Sequence, residues 1–501
     1  MQTLFLLSPE IVLFLFAFVI LSLDMAWHRD ERKQSLLSLF AAVACIVTIV
    51  LAVLVWLLGD LRVIATDAEG RVPMVAADQF SLFFKIYAAI VVLMVGFISE
   101  DYIKKHIRFR GEFYALMLMA GLSLMFVASA TNLLMIYLSF EFLSIISYVL
   151  TGYMREDERS IEGAVKYLIY GAAASGVMLY GFSLLYGATG VLDLHGIANG
   201  LATSPASGSA LIVTSIILIV VGLGFKIALV PFHQWAPEAY QGAPTPITAF
   251  LSVGPKAAGF ALMARIFFIV FPASLSNWAF ILTGIAILTM TVGNLVAMWQ
   301  KDIKRLFAYS SIAQAGYILM GIIAITPVYF GDLVANTWDE GINGMLIYLL
   351  AYLVTNIGAF AIIIALENET GSTDMSVYAG LFKRSPFLAV AFLIFMLSLV
   401  GIPPTAGFIG KFFVLGATLK QGMYFLATVA IINSVISLWY YFAIVRQMFF
   451  AEPETEEPVK ISPPVNFSVA ISVAAVLLIA IVAQPFVNWT TSSAQILAST
   501  F

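Results

Sequence analysis

Glu141, Lys226, Lys256 and Lys411 carry ionisable groups inside stretches that are otherwise apolar enough to cross a membrane. A lysine at the centre of a membrane helix costs about 2.5–3.5 kcal/mol to insert. Residues kept there against that cost face a bundle interior or a watery cavity, and they commonly carry ions or protons. Removal from water disfavours the charged form of an amine, so lysines at that depth can exchange protons. An ionised carboxylate at mid-membrane needs a cation nearby or takes up a proton itself. A glutamate and three lysines are therefore the parts of a proton relay.

Glu141 lies near the middle of its run, and Lys226 lies late in another, beside an interruption in the helical pattern. We expect the two to pair. A structural ion pair is the alternative, although buried pairs are poor stability devices. Lys256 stands about ten residues into its run, about 15 Å by helix rise, and snorkelling does not easily reach either surface from there. Lys411 follows Gly401-Ile402-Pro403-Pro404. Lys166 comes four residues after Glu162, which suits either an i, i+4 ion pair or a relay role. His233, in Pro231-Phe232-His233-Gln234-Trp235, could pass protons as a neutral imidazole or serve as a hydrogen-bonded structural group. Lys85 and Arg265 lie near the ends of their runs and are expected to snorkel. Thr245, Ser252, Tyr309, Ser310, Ser311 and Gln314 could hold a water wire, or could simply join helices.

The elements that position these residues follow from composition. The chain has 501 residues, 61% hydrophobic and only 11% charged, against about 25% charged in a soluble domain. It is an all-α polytopic membrane protein. Windows of about 20 apolar residues give fourteen spans. They are 8–27, 36–58, 79–98, 112–129, 131–151, 161–186, 210–230, 245–268, 277–299, 303–324, 342–366, 386–418, 424–447 and 465–488. The first is expected to be a membrane span and not a cleaved signal, because no basic segment precedes it.

Spans seven and twelve are interrupted, by Gly222 to Pro231 and by Gly401 to Gly407. Broken helices at corresponding positions point to a transport site. A weak repeat supports this. Tyr167 matches Tyr348 and Lys226 matches Lys411, five spans apart, so the halves must be inverted. The expected units are helices 1–3 in residues 1–111, a first five-helix repeat in 112–270, a second, inverted one in 271–450, and helix 14 in 451–501.

Basic residues set the orientation. Arg29, Arg32, Lys33, Lys104, Lys105, Arg108, Arg110, Arg155, Arg159, Lys166, Lys301, Lys304, Arg305, Lys383, Arg384, Arg446 and Lys460 fall in odd-numbered loops or their flanks. The opposite loops hold only Arg62, Arg71 and Lys420. Odd loops are therefore cytoplasmic, both termini lie outside, and the membrane is the cell membrane.

The single cysteine, Cys45, cannot form an internal disulfide or hold a cluster. No Gly-rich nucleotide loop and no Cys/His cluster is present in the sequence. The chain is expected to bind no metal, no cofactor and no nucleic acid.

The run Phe225 to Pro246, with Lys226-Ile227-Ala228-Leu229-Val230-Pro231-Phe232-His233-Gln234-Trp235 at its head, resembles the core signature of the antiporter-like subunits of respiratory complex I. Ala249 to Phe260, Phe140-Glu141-Phe142, Leu306 to Tyr317 and Gly401 to Lys411 resemble further motifs of that family. The resemblance covers residues from about 80 to 450. It implies fourteen helices with inverted five-helix repeats, spans 4–8 and 9–13. It also implies that Glu141 and Lys226 form the input ion pair, that Lys256 is the central relay and Lys411 the output lysine, and that Lys166 matches a family lysine. Electron transfer from NADH through FMN and iron–sulfur clusters to quinone would then occur in partner subunits. The longest family member ends in a lateral helix, which this chain is expected to lack. A multi-subunit Mrp-type sodium/proton antiporter is the alternative, and a structural membrane scaffold leaves the buried lysines unexplained.

Overall fold

The computed structural model describes residues 2–27, 31–59, 63–64, 74–107, 109–203, 210–271, 277–325, 338–453, 455 and 457–498. Arg29, Arg62, Arg71 and Arg108 lie outside the described residues. In hydrocarbon every backbone amide must be satisfied within its own segment, so the apolar runs become helices. In chain order these are α1 (Ser8–Trp27), α2 (Leu37–Leu58), α3 (Gln79–His106), α4 (Arg110–Ser129), α5 (Leu133–Thr151) and α6 (Glu158–Thr189). The centre of the chain forms α7 (Ala210–Ile227), α8 (Trp235–Gly242), α9 (Thr245–Ile269), α10 (Asn277–Ala297), α11 (Ile303–Ile323) and α12 (Trp338–Thr370). Last come α13 (Pro386–Val400), α14 (Ala406–Lys420), α15 (Tyr424–Phe450), α16 (Pro463–Ile481) and α17 (Ala483–Ala498).

Among the described residues 13 helices are long and apolar enough to cross a membrane. The fourteenth crossing is span twelve, split into α13 and α14, each of 15 residues. Span fourteen ends at Ile481, earlier than expected, and the chain turns into a further helix, α17. α17 packs on α12 and α3. An amphipathic helix there was not expected, because the apolar run from 465 reads continuously to 488.

α9 is the axis of the bundle. All of its residues are buried, and α3, α4, α7, α11 and α12 surround it. Small residues let backbones approach in place of a hydrophobic drive, which lipid does not supply. A Cβ at Gly259 would lie 2.3 Å from Ile227 Cγ2, so glycine there seats α9 against α7.

Both breaks are satisfied internally. α7 ends with the Leu229 amide donating to the Gly224 carbonyl at 2.7 Å and the Ala228 amide to Phe225 at 3.1 Å. This is a Schellman cap, built with Ala228 at φ 60° where glycine is usual. The freed Val230 amide donates to Thr289 Oγ1 on α10 at 3.0 Å. Thr289→Val would leave that buried N–H unpaired. We expect a loss of about 1–3 kcal/mol, read as a lower unfolding midpoint of the purified complex in detergent. At the second break Gly401 takes φ 91°, and Gly407 N–H donates to Ser398 Oγ at 3.0 Å.

Lys85 and Arg265 do not snorkel. Lys85 is fully buried and pairs with Glu10 at 2.7 Å. Arg265 is 2% exposed and holds both oxygens of Asp78, at 2.9 and 3.0 Å, and the Ala128 carbonyl at 3.1 Å. A carboxylate inside the bundle gives each cation a nearer partner than the interface does. Lys304 begins span ten as its bounds place it, in the first turn of α11, but it is 4% exposed and not a solvated flank charge.

A candidate proton relay in the bundle interior

Lys256 occupies the middle of α9 and is 1% exposed. Its Nζ donates to the Ser311 carbonyl on α11 at 2.5 Å. The Ser311 hydroxyl shares a hydrogen bond with Tyr240 on α8 at 3.0 Å. One turn before Lys256, Ser252 accepts from Asn356 on α12 at 2.8 Å.

Lys411 lies in the second turn of α14. Its Nζ donates to the Val400 carbonyl at 2.7 Å and to Ser434 Oγ at 2.9 Å, and sits 4.4 Å from the Tyr317 ring. Val400 is the last residue of α13, whose C-terminal carbonyls carry partial negative charge. The broken helix thus supplies the cation's acceptor.

α11 joins Lys256 to Lys411. Ser310 is bonded to the Tyr441 hydroxyl at 2.5 Å, and Tyr348 donates to Gln314 at 2.5 Å. Gln314 donates to the Leu399 carbonyl at 2.9 Å, beside the Lys411 acceptor. Of the expected polar set two stay apart: Thr245 bonds Glu367 on α12, and the half-buried Tyr309 makes no side-chain hydrogen bond among the described residues.

Lys226 is fully buried at the end of α7. Its Nζ donates to Ser144 Oγ at 2.9 Å and lies 5.3 Å from the Phe140 ring and 5.9 Å from Tyr167. The expected direct Glu141–Lys226 ion pair is not formed. Ser144, one turn along α5 from Glu141, takes the ammonium instead. Glu141 is half-buried, with Oε1 buried and without a hydrogen-bond partner. The two charges still share a neighbourhood, because Tyr148 on α5 lies within the field of Glu141 and against Tyr167 at 4.7 Å.

Lys166 makes the expected i, i+4 pair with Glu162 at 2.6 Å and also reaches Glu238 at 3.5 Å. It is 39% exposed, outside the row of buried lysines. His233 is half-buried in the break, with Nδ1 unpartnered.

Lys411 is not the positional mate of Lys226. Lys226 precedes the break of its span, and Lys411 follows the break of its own. Spans seven and twelve cross in opposite directions. Both lysines therefore lie on the same side of their breaks, whereas equivalent positions of an inverted repeat would lie on opposite sides.

The buried cations fall into two groups. Lys85, Arg265 and Arg384 are paired with carboxylates. Among the described residues no carboxylate lies within 4.0 Å of Lys226, Lys256, Lys411 or Lys304, the last of which stands apart from the row near the start of α11. A buried ammonium without a counter-charge costs several kcal/mol, and losing its proton removes that cost. Sequence could not separate the groups, because pairing depends on which helices meet. It also missed Tyr240, Tyr348, Tyr441 and Asn356, which look like ordinary residues of apolar helices.

Fourteen crossings, two of them broken, around a row of unpaired lysines define an ion-translocating membrane subunit. The profile described as NADH:quinone oxidoreductase/Mrp antiporter, TM, matches residues 130–437. The NADH-quinone oxidoreductase subunit N of Anaeromyxobacter sp. (strain Fw109-5) is 40% identical, over 97% of this chain and 96% of its own. The NAD(P)H-quinone oxidoreductase subunit 2 of Nostoc sp. (strain PCC 7120) is 42% identical, over 80% of this chain and 76% of its own. A chain of respiratory complex I from Thermus thermophilus superposes with a TM-score of 0.78 at 29% identity, over 96% of this chain and 98% of its own. A chain of the Mrp complex from Dietzia sp. shares the fold, with a TM-score of 0.82 at 22% identity over 98% of each. The chain belongs to the family of NADH-quinone oxidoreductase subunit N, within the antiporter-like membrane subunits.

Proposed function

We propose that this chain is the subunit-N-type component of an NADH–quinone oxidoreductase. It translocates protons using energy from electron transfer between NADH and quinone in partner subunits. The observation that carries the mechanism is the row of buried lysines without carboxylate partners. Lys256 is the central group, and it passes protons toward Lys411 along the Ser311, Ser310, Tyr441 and Gln314 hydroxyl and amide groups. Lys226 loads from the Glu141 side. There the hydroxyls of Tyr148 and Tyr167 have no hydrogen-bond partner among the described residues, and buried polar groups of this kind are served by water.

Partner subunits would hold FMN, the iron–sulfur clusters and the quinone site. The membrane would be the cell membrane, with both termini outside, as the basic loops require. Residues 112–270 and 271–450 would be the two inverted repeats. Lys166 and His233 would assist on the Lys226 side.

Affinity purification of the chain in mild detergent tests the assembly. NADH:quinone reductase activity with flavin and clusters in the eluate is the expected result. An eluate of antiporter subunits without redox centres would favour the Mrp alternative.

The role of Glu141 has its own test. Glu141→Gln should lower protons moved per NADH roughly five- to thirtyfold, the range of a 1–2 kcal/mol electrostatic coupling, with the complex intact. Unchanged stoichiometry in proteoliposomes would remove Glu141 from the path.

A further inference from the structure

Two ionisable groups outside the lysine row stand together at the Thr245 end of α9. Lys304 donates to the Ala243 carbonyl at 2.7 Å. Glu367, late in α12, accepts from Thr245 Oγ1 and from the Tyr102 hydroxyl, the latter at 3.4 Å. Ala243 lies in the turn between α8 and α9 and Thr245 opens α9, so residues two apart in the chain hold both charges. Glu367, Asp302 and Asp157 are the carboxylates whose field acts on Lys304.

Outward from Glu367 the distance to solvent is short. The Tyr102 hydroxyl also touches Met154 Sδ at 3.6 Å, and its ring lies 4.6 Å from the exposed His106 ring. Met154 and His106 line a cavity of about 460 Å³, together with Tyr153, Glu156 and Asp157. A single tyrosine therefore separates Glu367 from that cavity. Inward, Thr245, Thr248, Ser252 and Lys256 recur at helical spacing on one face of α9. Thr248 donates to the Tyr240 carbonyl at 2.8 Å, and Ser252 meets Asn356.

We propose that Glu367 is the group through which protons are taken up from this cavity and passed along the Thr245–Thr248–Ser252 face of α9 to Lys256. The proposal rests on the relay role given to Lys256. In the step, the Glu367 carboxylate accepts a proton from a hydrated or buffer acid in the cavity and becomes a neutral acid. The proton then moves over hydroxyl groups and intervening water to the Lys256 amine. That gives an ammonium and restores the carboxylate. Ala243 and Thr245, two residues apart, fix the places of Lys304 and Glu367. Of this site only Thr245 and Ser252 stand out in the sequence, as candidates for a water wire; Lys304 counts among loop charges, and Glu367 closes an apolar run beside Asn368 and Glu369.

The test uses the intact complex in proteoliposomes, with NADH-driven proton uptake measured per NADH oxidised. Glu367→Gln is expected to lower that ratio at least fivefold with normal subunit content. Glu367→Asp, which keeps the carboxylate, is expected to recover at least half. Wild-type pumping in Glu367→Gln overturns the proposal, and so does equal impairment of Gln and Asp, which marks a structural contact. Should Glu367→Gln fail to assemble, Thr245→Val removes the first hydroxyl at nearly constant shape. A fivefold loss supports the proposal there, and wild-type pumping overturns it. Lys256→Ala run alongside separates the layers. If Lys256→Ala fails to pump while Glu367→Gln pumps normally, only the uptake site is wrong. If both pump normally, the relay itself is wrong.

Discussion

A complex carrying Lys256→Ala should assemble and oxidise NADH yet pump protons at under about one-tenth of the wild-type ratio, since a positioned proton-transfer group is worth about 10²–10⁴-fold. The side chain is 1% exposed, at the middle of a helix that is buried along its whole length. Its fixed acceptor is a backbone carbonyl, Ser311, and not a carboxylate. A carbonyl holds an ammonium less firmly than a counter-ion does, which leaves the proton free to go. Removing the amine takes away the group that joins the Ser252 side of α9 to Ser311 on α11. Lys256→Arg sharpens the result. Arginine keeps the positive charge but does not deprotonate in proteins, so it should fail as alanine does. Normal pumping in either variant, measured in proteoliposomes with an uncoupler control, would remove Lys256 from the relay.

Asp78→Ala should be the most destabilising single change among the paired cations, at about 3–5 kcal/mol, the usual cost of leaving one partner of a buried pair alone. Asp78 caps α3, where its carboxylate accepts from the Ser81 amide at 2.7 Å, and it receives a two-pronged contact from Arg265. The guanidinium is 2% exposed and also lies over the Phe80 ring at 5.2 Å. With the carboxylate gone, Arg265 would keep only the Ala128 carbonyl. The measurement is the level of assembled complex and its thermal unfolding in detergent. The double change Asp78→Asn with Arg265→Met keeps a cap acceptor and removes the stranded charge, so it should recover much of the loss. Equal damage in single and double variants would mean that packing, not charge, carries the site.

The same contact has a pH signature. Burial pushes the Asp78 carboxyl up, but the Arg265 charge and the Ser81 cap outweigh it and hold the group below its ordinary range. A carboxyl lowered in the folded state contributes its stabilisation above the unfolded value, about 3.9. That stabilisation is lost as pH falls through the folded value. Wild-type protein should therefore lose this increment only in strong acid, and the Asp78→Asn, Arg265→Met variant should lack it.

Lys85, Arg265 and Lys256 show how far sequence carries. All three are cations in apolar runs, and their positions along the helices were legible from spacing alone. What each does was not. Lys85 and Arg265 are neutralised by Glu10 and Asp78, which come from distant segments. No periodicity announces which helices will touch. The same limit explains Glu141 and Lys226. Sequence placed Glu141 near mid-span and Lys226 late in its span, and only packing showed that Ser144 takes the ammonium.

The sequence by itself determined the membrane architecture. Runs of about 20 apolar residues must become helices, because hydrocarbon offers the backbone no other partner. It also located the two breaks, since proline lacks the N–H that the ladder needs and clustered glycines weaken a helix. The tertiary structure decided which buried lysines remain without a carboxylate. It also placed Lys226 and Lys411 on the same side of their breaks and exposed the Glu367–Lys304 cluster. The reason is physical: the cost of a buried charge depends on the groups within a few ångströms of it, and those are supplied by helices far apart in the chain.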